Sequence, residues 1–306
     1  MTTDGSQYCD DPTLAAINGK LESAVVVPGL HIVSTPIGNL ADISLRALAT
    51  LRASDLIICE DTRVTAKIKS VFAITTPLLC YNDHNAPKTL PRIMDFLKNG
   101  KTISLVSDAG TPTISDPGYK LVNSAIKERI FVTSAPGASA MLAALPASGL
   151  PTDKFLFIGF LPVKTMAKQN FLRDLKEFNA TLIFYESARR LSSTVQVMAD
   201  ILAPRSAVIA RELTKKYEEF IRDDLSALAL KTSEQIERKG EFVILVGPPQ
   251  SESQPNKDAV DQMLLEALSD KTLRDAVNIV VKKTGAKRKD VYLRALNLKE
   301  KTGNRG

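Results

Sequence analysis

The chain of 306 residues has little of what builds disulfide or metal chemistry. Its three cysteines, Cys9, Cys59 and Cys80, are odd in number and widely spaced. That pattern suits neither a disulfide framework nor a zinc knuckle and fits a reducing, cytoplasmic setting. Only two histidines occur, His31 and His84, neither near a cysteine pair, so no metal site is expected. His31 sits in an apolar strand pattern and reads as a core or edge residue, whereas His84 lies in a polar loop. No run of ~20 apolar residues is present to span a membrane. Residues 1–28 lack the charged start and apolar block of a secretory signal and read as an unstructured extension. Neither a Gly-x-Gly-x-x-Gly turn nor a Gly-Lys-Ser/Thr loop is found, which weighs against a dinucleotide or nucleoside triphosphate.

What remains is the composition of an ordinary globular protein, 44% hydrophobic and 24% charged. Its length suggests roughly two domains. The net charge of +6 is unevenly placed: residues 271–306 carry eleven cations against three anions, a net of +8, leaving −2 for the rest. A near-neutral body with a cationic end points to a polyanionic partner there.

The chain is organised around SDAGTPTISDPG, Ser107 to Gly118, between the apolar run 101–106 and a helical pattern from Tyr119. Such a stretch lies at the carboxyl end of a strand, where open α/β sheets bind ligands. Its glycines and prolines set the backbone, and Ser107, Asp108, Thr111, Thr113, Ser115 and Asp116 offer short polar groups. Strands are predicted over 31–35, 55–59, 77–81, 101–106 and 130–133, with a helix from about residue 43 that Asn39 or Asp42 would cap. Pro146, Gly149 and Pro151 mark a boundary. Further strands are predicted over 154–160, 181–185, 207–210 and 241–246, interleaved with helices.

The fold class is therefore α/β, two domains with the ligand cleft between them and a small C-terminal helical module. The expected partition is an extension at 1–28, an N-terminal α/β domain at 29–150 and a C-terminal α/β domain at 151–249. A linker at 250–257 leads to a basic helical module at 258–306. In that module Leu273, Ala276, Val277, Val280 and Val281 share one helix face, and Val291, Ala295 and Leu298 point inward from the next helix. The pair resembles a helix-turn-helix. Strand ends rich in small and acidic residues converge from both halves on a cleft that binds through main-chain contacts and shape. That suits an amino acid or nucleoside ligand.

STPIGNLADIS, ICEDTR, SDAGTPTISDPG, APGASA, FYES with the following ARR, ARELTK and GEFVILV occur in this order. Together they resemble the tetrapyrrole-methylase superfamily from about Gly29 to Val246, and within it a branch that acts on ribosomal RNA. The first loop has fewer glycines than in the cobalamin and sirohaem members, which argues against a porphyrinoid substrate. The resemblance implies S-adenosylmethionine as methyl donor, a homodimer, and 2′-O-methylation of a cytidine in the decoding region of 16S rRNA, naked or in the small subunit. By motif, Gly110, Thr111, Pro112, Ile114 and Ser115 would lie along the donor's amino-acid part. Ala138, Tyr185 and Leu213 would surround its adenosine, Phe242 would add to the adenine pocket, and Asp108 would face the amino group or sulfonium.

Aligning oxygen, methyl and sulfur is worth roughly 7–11 kcal/mol, and a general base adds about 10²–10⁴-fold. Candidates for the base are Glu60, Asp61 and Glu186, or Lys215 if desolvation lowers its pKa. Arg63, Arg189 and Arg211 are candidate phosphate clamps. Lys282, Lys283, Lys287, Arg288 and Lys289 are the module's candidate RNA contacts. The alternatives are a tetrapyrrole methylase of the same fold and a non-catalytic RNA-binding protein of ribosome assembly.

Overall fold

The structure, a computed structural model, describes residues 19, 21, 25–82, 84–234, 239–249, 257–284, 286 and 288–303. The expected extension and linker fall almost wholly outside these residues, and Lys287 lies outside them too. The chain divides into two compact units, Met1–Pro248 and Pro249–Gly306.

The first unit contains two five-stranded sheets. In the first, β1 (Gly29–Val33), β2 (Leu56–Cys59), β3 (Leu78–Cys80), β4 (Thr102–Val106) and β5 (Val132–Ala135) are ordered β3-β2-β4-β1-β5. Every pairing is parallel. A parallel sheet is covered on both faces, so its central strands are continuous apolar runs; β2 and β4 are buried throughout. Leu30, Ile58 and Leu105 pack on one side with Ile93 and Leu121, and Val33, Ile57 and Val106 on the other with Leu48 and Leu51. The helices are α1 (Leu45–Ala53), α2 (Thr62–Val71), α3 (Ala86–Lys98) and α4 (Tyr119–Lys127). The cap of α1 differs from the expectation. Ser44 Oγ accepts the Ala47 N–H at 3.1 Å, while Asn39 caps the short 3₁₀ turn Leu40–Asp42 by accepting from Ala41 N–H at 3.1 Å. The polar turn between Asn39 and Ser44 sets the helix start two residues later than Asp42 would.

The second sheet contains β6 (Phe155–Phe160), β7 (Thr181–Ser187), β8 (Ser206–Arg211), β9 (Glu219–Asp224) and β10 (Glu241–Val246), ordered β6-β7-β10-β8-β9. Only β6 and β7 run parallel. One face is covered by α6 (Thr165–Asp174), α7 (Leu191–Leu202) and α8 (Leu225–Glu234), through Leu172, Val195, Met198 and Leu228. The other is covered by α5 (Ala140–Ser148), whose Ala144 and Leu145 pack against Ile183, Val208, Ala210, Val243 and Leu245. Helix α5 directly follows the last strand of the first sheet, so it ties the two sheets together. Its terminal carbonyls, unpaired within the helix, are taken up by Arg222 of β9: Nη2 donates to Ala147 O at 2.6 Å and Nε to Ser148 O at 3.1 Å.

The second unit consists of α9 (Lys257–Leu268), α10 (Leu273–Thr284) and α11 (Arg288–Gly303). Its core is Val260, Leu264, Val277, Val280, Val291 and Ala295, with Leu273, Val281 and Leu298 packed at the edge. The inward faces expected of α10 and α11 are those observed, and α9 completes them with a helix that the pattern had not marked. Arg294 of α11 pairs with Asp261 of α9, which fixes the outer two helices to each other.

Candidate active site

The carboxyl ends of β4, β1 and β5 lie side by side, and the loops leaving them are laced together. Thr35 donates its N–H to Gly110 O at 2.9 Å, and Gly110 returns its own to Thr35 O at 3.0 Å. Thr35 Oγ1 donates to Ser107 O at 3.1 Å, and Thr111 Oγ1 donates to Ala138 O at 3.2 Å. The Ser34 and Thr111 hydroxyls are 2.9 Å apart. Gly110 is at φ +82°, and Thr113 and Ser115 at φ +73° and +64°. Left-handed backbone at non-glycine residues is uncommon and is held only where the surroundings dictate it.

The second sheet meets this edge closely. A β-bulge between Phe157 and Gly159 turns β6 so that Gly159, at φ +74°, lies against the loop; a Cβ there would stand 2.7 Å from Ser115 Oγ. Gly38 abuts the loop after β8, and a Cβ on it would be 2.4 Å from Lys215 Cγ. Asn39 N–H donates to Thr214 Oγ1 at 3.2 Å.

Between the two sheets lies a cavity of about 330 Å³, within the range of small-ligand sites. The first sheet lines it with Ile37, Gly110, Thr111, Ile114, Ser115 and Asp116, and α5 with Ser139 and Ala140. The second sheet lines it with Phe160, Tyr185, Leu213 and Val243, among others. Tyr185 is held edge-on by Phe157 and Phe160, with centroids 4.9 and 5.8 Å away. Its hydroxyl accepts the Met141 N–H at 3.3 Å, and burial raises its pKa above the usual phenol value.

Of the residues expected around a donor, Gly110, Thr111, Ile114, Ser115, Tyr185, Leu213 and Phe242 line this cavity. Phe242 does so only at the start of β10. Its side chain belongs to the core under the helices, with Phe184 and Ile244, and Val243 instead belongs to the cavity-side cluster. Pro112 and Ala138 are not among the lining residues, although Ala138 packs against the cavity-side cluster. Asp108 also lies outside the lining, with Oδ1 accepting Asp61 N–H at 3.1 Å.

Of the candidate bases, Glu186 is among the residues lining the cavity, and Glu60, Asp61 and Lys215 are not. Glu186 is backed by α7: Oε2 accepts from Thr194 Oγ1 at 2.7 Å, Oε1 from Ser187 N–H at 2.8 Å, and Arg190 Nε stands 3.3 Å away. Thr194 in turn accepts from the buried Lys168 ammonium at 2.8 Å. Successive residues of a strand face opposite sides, so with Tyr185 toward the cavity the Glu186 carboxylate goes to the helices. Asp61 caps α2 and pairs with Arg63 Nη2 at 2.6 Å; these bonds hold it at about 2, too weak a base for a ribose hydroxyl.

Lys215 corrects the expectation of a depressed pKa. Burial does pull it down, but hydrogen bonds at 2.9 Å to Glu212 and Glu241 outweigh that and raise it. Glu60, at the end of β2, acts electrostatically on a residue the sequence had not marked as a base. That residue is Asp116, pushed up to about 6 by burial first, then by the Glu60 charge against a hydrogen bond from Ser107, with Asp108 adding to the rise.

Arg63 and Arg189 are exposed and away from the cavity lining. Arg211 is committed to Lys239 O at 3.1 Å and lies 3.6 Å from Glu219. Lys282, Lys283, Arg288 and Lys289 are exposed where α10 ends and α11 begins. His31 is buried with Nε2 2.7 Å from Val27 O. Among the described residues no group of three His, Cys, Asp or Glu is placed to hold a metal ion, and no helix is long and apolar enough to cross a membrane.

A parallel sheet and a mostly antiparallel one closing on a single cavity, loop backbone on one side and side chains on the other, define an α/β fold that grips a small molecule between its sheets. The chain belongs to the tetrapyrrole (corrin/porphyrin) methylases, whose family model matches residues 29–229. A second model, the RsmI C-terminal helix-turn-helix domain, matches residues 254–299. More narrowly, the chain is similar to proteins named ribosomal RNA small subunit methyltransferase I. The one from Mesorhizobium japonicum is 45% identical over 90% of this chain and 94% of its own length. The one from Thermotoga maritima is 44% identical over 71% of this chain and 97% of its own. Among solved structures, a cobalamin biosynthetic cobalt precorrin-4 methyltransferase covers 71% of this chain and 94% of its own at 18% identity, with a TM-score of 0.53. Diphthine synthase covers 71% and 89% at 14% identity, with a TM-score of 0.55. These structural likenesses concern the fold.

Proposed function

We propose that the chain transfers a methyl group from S-adenosylmethionine to the ribose 2′-oxygen of a cytidine in the decoding region of 16S rRNA. The observation that carries this reading is the cavity between the two sheets, in a chain whose relatives are named for a small-subunit rRNA methyltransferase. A solved uroporphyrin-III C-methyltransferase of the same fold is described in complex with S-adenosyl homocysteine, at 16% identity and a TM-score of 0.50.

The residues present fit such a donor. The cavity's volume is that of a small-ligand site, its walls at Ile37, Ile114, Phe160, Tyr185 and Leu213 are apolar, and Gly110 lets main chain approach closely. When bound, the donor supplies a methyl group on a positively charged sulfur. The loop 110–116 would hold its amino-acid part, and Tyr185 and Leu213 its adenosine. Asp116 in the wall, with Glu60 and Asp108 close behind, gives that side a negative potential that favours a sulfonium. The fixed walls would exclude water and keep oxygen, methyl and sulfur in line.

The second unit would dock the RNA through its exposed cations. The reading includes a cytoplasmic homodimer.

The test is transfer from labelled S-adenosylmethionine to purified unmethylated small subunits, with nuclease digestion and nucleoside analysis. Label in 2′-O-methylcytidine is the expected result. Donor binding without label in RNA would instead favour a small-molecule methylase, and absence of donor binding would remove the enzyme reading. Alanine at Lys282, Lys283, Arg288 and Lys289 should leave donor binding intact and flatten the salt dependence of RNA affinity, by roughly 0.7–0.9 in log–log slope for each phosphate no longer neutralised.

A further inference from the structure

We propose that the loop between β8 and β9 docks single-stranded RNA, with the base of a nucleotide flanking the methylated one stacked on Tyr217 and its phosphates held by Lys216 and Lys239. This rests on the reading above and adds an RNA contact in the first unit, beside the donor cavity.

The loop lies outside the donor cavity but borders it. A groove of about 410 Å³ is lined by Arg211, Glu212, Tyr217, Lys239 and Gly240. Gly240 also lines the donor cavity, as does Leu213 of the same loop. One part of the loop therefore meets the donor while Tyr217, four residues on, lines the neighbouring groove.

A stacking platform needs a fixed ring, and this loop is fixed. Strands β8 and β9 pair up to Arg211 and Glu219. Between them Lys215 N–H donates to Glu212 O at 3.0 Å, Glu218 N–H to Lys215 O at 3.2 Å, and Thr214 N–H to Glu218 Oε2 at 2.6 Å. Glu212 and Thr214 are left-handed, at φ +50° and +64°, a conformation that persists only where the surroundings impose it.

Tyr217 is 64% exposed, so the ring adds little to the core and leaves a π-face for a base. Lys216 Nζ stands over the ring, 5.4 Å from its centroid. The carboxylates nearby are engaged. Glu212 Oε1 accepts from Lys215 Nζ at 2.9 Å and from Glu241 N–H at 3.0 Å, Glu241 Oε2 accepts from Lys215 Nζ at 2.9 Å, and Glu219 stands 3.6 Å from Arg211. Lys216 and Lys239 are exposed, and among the described residues no carboxylate pairs with either. An aromatic ring with cations beside it is the pattern that holds a single strand, the ring taking a base and the cations the backbone. The described lining has no aliphatic side chain, so it lacks the apolar core of a protein interface.

The test uses the full chain, unmethylated small subunits with labelled S-adenosylmethionine, and a fluorescent cytidine oligonucleotide read by anisotropy. Tyr217→Ala should raise KM for the subunits and Kd for the oligonucleotide about tenfold, within the range of one stacked base. Its kcat, donor affinity and melting temperature should match wild type, because the ring is exposed and outside the donor cavity. Tyr217→Phe keeps the π-face and should behave as wild type, whereas Tyr217→Leu should behave as alanine. Replacing Lys216 and Lys239 together by alanine should flatten the salt dependence of oligonucleotide affinity by roughly 0.7 in log–log slope for each phosphate released.

Oligonucleotide affinity unchanged in Tyr217→Ala would overturn the proposal. So would rescue by leucine, which marks an apolar protein contact on the subunit, a loss in phenylalanine equal to that in alanine, or a fall in kcat at unchanged KM. Absence of methyl transfer by the wild type, with oligonucleotide binding that still depends on Tyr217, would instead overturn the functional reading and leave the RNA site standing.

Discussion

The two sheets wall one cavity in different ways. The first contributes backbone: its loops cross-bond at Thr35 and Gly110, and Gly110, Thr113, Ser115 and Gly118 all have positive φ within nine residues. The second contributes side chains: Phe160 beside the bulge of β6, Tyr185 and Val243 from strands, and Leu213 from the loop after β8. A parallel sheet ends all its strands at one edge, so its loops gather there and can be laced into a rigid rim. A mostly antiparallel sheet brings only some of its ends to that edge, and its face rather than its rim meets the ligand. Substitutions on the first wall should therefore act through conformation, and those on the second through contact area.

The largest effect is expected at the centre of the backbone wall. Gly110→Val places a β-branched residue at φ +82°, with its Cβ 3.4 Å from Ile37 Cγ2. Such residues in that region cost roughly 1–3 kcal/mol, and the loop can escape only by giving up its paired bonds to Thr35. Donor affinity by calorimetry should fall more than about tenfold, or ~1.4 kcal/mol, with the fold retained by circular dichroism. Unchanged affinity would mean that the loop's conformation does not make the wall.

A smaller loss is expected on the opposite wall. Phe160 is 56% exposed, yet its ring meets Tyr185 edge-on. Phe160→Ala opens no core cavity but removes one aromatic pair, worth about 0.5–1.5 kcal/mol to the fold, so the melting temperature should fall by only a few degrees. Loss of that wall should raise KM for the donor by a few-fold with kcat little changed. A fall in kcat at unchanged KM would contradict a purely packing role.

The same contrast decides what could be read from the residues alone. Strands β2 and β4 are continuous apolar runs because helices cover both faces, and their positions were legible to within a residue or so. Strand β9 was not: Glu-Phe-Ile-Arg-Asp-Asp is an edge strand with half-exposed, charged positions that resemble a loop. Helix α2 was missed because only Thr65 and Ile68 are buried on it, too thin a stripe to set a period. At the site, the loop 107–118 announced itself through local chemistry. Strand alternation could also have shown that Tyr185 and Glu186 face opposite sides. The character of Asp116 had no local signal. It arises because β2 and β4 are neighbours, bringing Glu60 beside a loop from a different strand, and that adjacency exists only in the folded sheet.

The smallest effect sharpens the comparison most, because it separates ring from hydroxyl on the side-chain wall. Tyr185 presents its ring to the cavity and its hydroxyl to Met141 N–H at the start of α5. Burial keeps that hydroxyl protonated above the usual phenol range, so it carries no charge at working pH. Tyr185→Phe keeps the ring and its edge-on partners and removes one acceptor from a backbone donor. Leaving such a donor unpaired costs about 1–3 kcal/mol when fully buried, and the 3.3 Å bond with its half-buried donor places the expected loss of stability at the lower end, about 1 kcal/mol. If the second wall works through contact area, donor affinity and kcat should both stay within about threefold of wild type. A hundredfold drop in kcat would instead show the phenol taking part in proton transfer, and the second wall would then work through chemistry as well as contact area.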